Sequence, residues 1–275
     1  MPSTILRRCR PLLFGLCLAA LGARLPGADP PAPPKPVLLY SRYFNALGEN
    51  RYLPDGTYRE ILRRLRTEFE VRVNADPLDA RTLAGVNVVL IANPSDLAVR
   101  TNPPPPHVSP AEIAALSRFV AAGGGLVVMG NQENHNLEIR DMNRLLVQFG
   151  LQFTNLYTDA KQLRLPAATP IIGGLRWAYY TGNQVLVATN HPAHPRPLVL
   201  NDLAQPALGG PRDTPGALLA VAEPGRGRVA VVTDAGWLSD DALSGRGIGG
   251  VAIREQDNWE ICRRLAHWLA GEAPR

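Results

Sequence analysis

The stretch from Ser109 to Asn136 constrains this chain more than any other. It reads as a helix, three glycines, a strand and a polar turn. Ser109 suits a helix N-cap, Pro110 its first turn, and Glu112 completes a capping box. Ile113, Leu116, Phe119 and Val120 recur at helical spacing and form one apolar face. Gly123, Gly124 and Gly125 stop that helix, because glycine takes positive φ without penalty. Leu126-Val-Val-Met129 is the short, wholly apolar run of a strand covered on both faces. It ends in Gly130-Asn-Gln-Glu-Asn-His135. Open α/β sheets bind ligands beyond the carboxyl ends of their strands, so this polar turn is where function is expected.

The rest of the chain extends the same pattern. Val37–Tyr40 and Val86–Ile91 read as buried strands, and Phe69–Val73 as an edge strand. Thr57 with Glu60 is expected to open a helix whose inward face is Tyr58, Ile61, Leu62 and Leu65. Ile139, Met142, Leu145, Leu146 and Phe149 mark another helix, with Asn134 or Asn136 as its expected cap. Ala217–Ala222 and Arg228–Thr233 flank Pro224-Gly-Arg-Gly227 as a β-hairpin. Asp257 with Glu260 is expected to cap a last helix facing inward through Trp259, Cys262, Leu265, Ala266 and Leu269. Alternating strands and helices in the first half imply a mostly parallel sheet covered on both sides. The expected fold is α/β: a three-layer, flavodoxin-like domain over residues 37–271, with a late antiparallel hairpin and an irregular elaboration over 155–215.

Before that domain, Arg7, Arg8 and Arg10 precede an apolar run from Leu12 to Leu21, and small residues end at Ala23. This is the pattern of a secretory signal peptide over residues 1–23, followed by a proline-rich linker over 24–36. The expected location is periplasmic or secreted, with no membrane attachment after cleavage. Cleavage removes three arginines and no acid, leaving 26 basic against 24 acidic residues, a net +2. A charge that small gives no ground for nucleic-acid binding. Of Cys9, Cys17 and Cys262, only Cys262 survives, so no intramolecular disulfide forms in the mature chain.

Phe119-Val-Ala-Ala-Gly-Gly-Gly-Leu-Val-Val-Met-Gly130 resembles the central element of the class I glutamine amidotransferase-like superfamily. Met142–Leu146 with Phe149-Gly150, Gly225–Asp234, and Asp257-Asn258 leading into Trp268-Leu269 resemble an exported branch of it that lacks an assigned activity. In active amidotransferases a cysteine follows the central strand, and a histidine and a glutamate follow the last. Here the corresponding positions read Gly130-Asn-Gln and Asp234-Ala-Gly-Trp. The resemblance therefore implies the fold without glutamine amidotransferase activity.

The candidate ligand-binding residues are Tyr43, Asn93, Asn131, Glu133, His135, Asp234 and Trp237, all at or just after expected strand ends. Each has a plainer use. The Tyr43 loop is either a site wall or a surface loop. Asp234 can accept backbone N–H groups from its own turn, and Trp237 can cover the core. The loop from Asp96 to His107, with four consecutive prolines, is either a lid or a stiff surface insertion. The spacing supports no metal-ligand set and no cofactor. The favoured reading is a non-catalytic exported domain that binds a small polar or carbohydrate-like ligand, or a protein partner. The alternatives are a hydrolase using Glu133, His135 and Asp234, and a purely structural domain. On balance these readings lean against an enzyme.

Overall fold

Apolar strands covered on two faces need two separate layers of helices, and the computed structural model has both. It describes residues 34–132, 135–208, 212–246 and 256–272. The expected signal peptide, most of the linker, Glu133 and Asn134 lie outside them, as does most of the glycine-rich run 245–250. The chain divides into units Met1–Pro34 and Lys35–Arg275, and every strand and helix named below belongs to the second.

The elements are β1 (Val37–Ser41), α1 (Arg59–Glu68), β2 (Glu70–Asn74), β3 (Val88–Ala92), α2 (Pro110–Ala121), β4 (Gly125–Met129), α3 (Arg140–Leu146), β5 (Leu151–Phe153), β6 (Lys161–Arg164), β7 (Arg176–Tyr179), β8 (Val185–Val187), β9 (Arg196–Leu200), β10 (Ala217–Ala222), β11 (Arg228–Val232), α4 (Asp240–Leu243) and α5 (Asn258–Leu269). A nine-stranded sheet runs β2-β1-β3-β4-β11-β10-β8-β5, with β9 also on β10. From β2 to β11 every pairing is parallel, and β10, β8, β9 and β5 pair antiparallel. β6 and β7 form a separate hairpin.

The period-2 geometry of strands splits the core. Leu38, Tyr40, Val88, Leu90, Val127 and Met129 face the layer of α1 and α5. Leu39, Val89, Ile91, Leu126 and Val128 face α2 and α3. Gly125 has no room for a side chain: a Cβ there would stand 2.3 Å from the Leu269 carbonyl oxygen, so α5 lies directly on the start of β4. The three-layer α/β fold is as the patterning predicts, hairpin included.

Several expected helix starts are built differently. Ser109 and Glu112 do form the capping box of α2. Thr57, however, accepts the Tyr52 N–H, and the Glu60 N–H is taken by the Asp240 carboxylate. Asp257 accepts the Arg176 N–H rather than capping α5, and Glu260 pairs with Arg263 and Arg264. At α3 the cap is neither expected asparagine. Glu138 accepts the Asp141 and Met142 N–H groups at 2.8 and 2.9 Å.

Candidate functional site

The loops leaving β3 and β4 cross at the carboxyl edge of the sheet. Asn93 turns with φ +45°, and its N–H donates to the Met129 carbonyl at 2.7 Å. Glu138 N–H then donates to Pro94 O at 2.8 Å, and Asp96 N–H to Asn136 O at 2.8 Å, around an antiparallel bridge between Ser95 and Leu137. This short ribbon brings Asp96 and Glu138 together. The proline-containing loop after Asp96 returns at His107, immediately before buried Val108 and the Ser109 cap, so His107 is held beside them.

His107 lies among three carboxylates. Its Nε2 is 2.7 Å from Asp96 Oδ1, and its Nδ1 is 3.0 Å from Asp141 Oδ2 and 3.9 Å from Glu138 Oε1. One donor atom each from Asp96, His107 and Glu138 lie within 4.8 Å of one another. Glu138 is buried, Asp96 exposed and His107 between the two. Partial burial works against the charged imidazole, but the Asp141 hydrogen bond and the charges of Glu138 and Asp96 outweigh it and raise the His107 pKa above its ordinary value. Asp141 is held well below the usual carboxylate range, chiefly by the Arg140 guanidinium and then by His107 and Arg144. Groups of this kind move protons or hold a metal ion. The expectation that leans against an enzyme is corrected by this cluster.

The residues singled out from sequence are only partly brought together. Asn93, Asn131 and His135 do meet at the β3–β4 edge, joined by Gln132. Asn93 Nδ2 donates to the His135 carbonyl at 3.4 Å, and Gln132 Nε2 lies 3.2 Å from His135 Nε2. Asn131 bonds Tyr52, the Gln132 N–H and, through its carbonyl, Asn183. Burial, and next the Arg51 charge, lower the His135 pKa. Among the described residues, Asn93 Oδ1, Gln132 Oε1 and His135 Nδ1 are buried without a hydrogen-bond partner. Tyr43 packs edge-on against Phe44 on the α2 side.

Asp234 and Trp237 are used by the fold. Asp234 follows β11, is 1% exposed, and accepts N–H groups from Tyr180 at 2.9 Å and Gly236 at 2.6 Å. Trp237 is fully buried, its ring 5.3 Å from that of Trp177 at 76°, so it presents no stacking face to solvent. Cys262 is buried in α5, and burial pushes its thiol up to about 12, the opposite of an activated nucleophile. Asp96, His107 and Glu138 are absent from the sequence-based candidates because 42 positions separate the first from the last. The one signal was the loop bounded by Asp96 and His107.

No family model matches this chain, and no curated protein is similar to it. Solved structures are. The N-terminal domain of IFT52 superposes with a TM-score of 0.60 at 17% identity, over 85% of this chain and 97% of that one. A cytoplasmic protein from Salmonella typhimurium LT2 gives 0.52 at 15%, over 85% and 98%. A protein described as ThuA-like from Bacteroides uniformis gives 0.51 at 11%, over 89% and 95%. At such identities the likeness is one of fold. The sheet order, the two helical layers and these superpositions together give the chain a three-layer, flavodoxin-like α/β fold.

Proposed function

We propose that this chain is a hydrolase whose working group is the cluster of Asp96, His107 and Glu138, acting on a small polar or carbohydrate-like substrate at the carboxyl edge of the sheet. The observation that carries the reading is the imidazole of His107 set between carboxylates at the strand ends, where this architecture places its ligands. In the reaction, water attacks the electrophilic centre. A carboxylate of the cluster takes one of its protons and passes it to the leaving group as the old bond breaks. The polar side chains of Asn93, Gln132 and His135 at the same sheet edge support a polar substrate. The signal-peptide pattern of residues 1–23 supports export, and the N-terminal mass of the mature chain tests it: a start near residue 24 is expected, and an intact Met1 contradicts it.

The activity is tested with chromogenic esters, amides, phosphate esters and glycosides, using the parent chain and the variants His107→Gln and Asp96→Asn. Asp96 is exposed, so its replacement leaves the fold intact. At least one substrate class is expected to turn over, with both variants slower by about 100-fold or more. A parent chain that hydrolyses none of them, or variants as fast as the parent, overturns the reading.

A further inference from the structure

From the same cluster we infer that Asp96, His107 and Glu138 form a site for one first-row divalent cation of the zinc class, with Asp141 as the positioning residue for His107. The inference rests on the hydrolase reading only for the use of the ion, and its binding is measured separately.

Three donors of mixed type, one imidazole nitrogen and two carboxylate oxygens, lie within 4.8 Å of one another. Metal–ligand bonds of about 2.0–2.2 Å span such a set after a small rearrangement, in which Asp96 Oδ1, now 2.7 Å from His107 Nε2, moves outward to admit the ion. Exposed Asp96 can supply it, because its carboxylate is free to shift. Glu138 is already fixed: each oxygen accepts one α3 N–H and keeps a lone pair for a further ligand.

Asp141 settles which imidazole nitrogen is offered. It engages Nδ1 at 3.0 Å, leaving Nε2 to face Asp96 at 2.7 Å. A carboxylate on the far nitrogen is the usual support of a metal-bound histidine. The charges agree. Arg140 and Arg144 both pair with Asp141, whereas Asp96 and Glu138 sense Arg140 only at longer range and make their ion pairs to His107. Three protein ligands with one exposed member leave a coordination position for water, as in catalytic rather than structural zinc sites. The imidazole disfavours calcium and magnesium, which take oxygen ligands.

The test is calorimetric titration of the chelator-stripped full chain with zinc chloride, without substrate. One equivalent is expected to bind. His107→Gln and Asp96→Asn should each weaken binding more than 10-fold, and Asp141→Asn by about 10- to 100-fold. A His191→Gln/His194→Gln double variant, removing the two histidines of the 191–194 loop, should bind as the parent does. Nitrogen-15 imidazole spectra should show zinc moving the Nε2 resonance of His107, and Asp141→Asn should alter the His107 tautomer. Neither change follows from a merely structural role.

No zinc binding, or binding lost with His191 and His194 but kept without His107, overturns the inference. If zinc binds at His107 and no substrate turns over, the metal site stands and the hydrolase reading falls. If turnover needs His107 but is unchanged in the chelator-stripped chain that binds no zinc, the reverse holds.

Discussion

Asp234 and Asp96 both follow strands of one sheet, yet their surroundings put them to different use. Asp234 is buried, and burial raises its pKa from the ordinary 3.8 to about 7, against the opposing pull of N–H groups from Tyr180, Gly236, Thr181 and Trp237. A carboxyl raised in the folded state adds stability that is complete below the unfolded pKa, near 4. That contribution is lost as pH rises through about 7. Unfolding midpoints of the parent should therefore carry a downward component between pH 4 and 8 that Asp234→Asn lacks. The variant should also be less stable by about 2 kcal/mol with no ligand present, because an amide nitrogen replaces an oxygen that accepts backbone N–H groups. Thermal melts across that range check both, and an equally stable Asp234→Asn contradicts the structural role. Asp96 is exposed beside His107, and Asp96→Asn should melt close to the parent.

At the scale of elements, the caps decide where the site residues stand. Ser109 Oγ accepts the Glu112 N–H, and the Glu112 carboxylate accepts the Ser109 N–H at 3.0 Å. Ser109→Ala should cost about 1 kcal/mol in denaturant unfolding. It should also reduce activity, since His107 sits two residues before the cap; an unchanged midpoint would show that the box adds nothing. Gly125→Ala drives a Cβ against the Leu269 backbone and should destabilise by about 1–3 kcal/mol, through β4 and α5 rather than through the site. The same elements show how far the sequence could be read. β3, β4, α2 and the β10–β11 hairpin were legible because local patterning specifies them. The caps at Thr57 and Asp257 were not, because each side chain takes a partner the local pattern does not reveal: Tyr52 in the preceding loop, and Arg176 81 positions away.

For the whole molecule, the sheet edge was legible and most of its occupants were not. Strand order places β4 between β3 and β11, so the polar turn after Met129 had to lie at the carboxyl edge. Asn93, Asn131 and His135 lie together at that edge. The cluster of Asp96, His107 and Glu138 joins three segments through a long loop and a crossing ribbon, and no local spacing encodes that closure. Asp234 and Trp237 also follow a strand, but the turn after β11 folds inward, where Trp237 joins the core and Asp234 accepts backbone N–H groups.

The most direct measurement compares hydrolysis and melting for His107→Gln and Asp234→Asn side by side. His107→Gln is expected to lose turnover by about 100-fold or more while melting close to the parent. Asp234→Asn is expected to melt lower while its remaining folded fraction turns over normally. A His107→Gln variant that keeps full turnover, or an Asp234→Asn variant that loses it without losing stability, would contradict the placement of the working centre at His107.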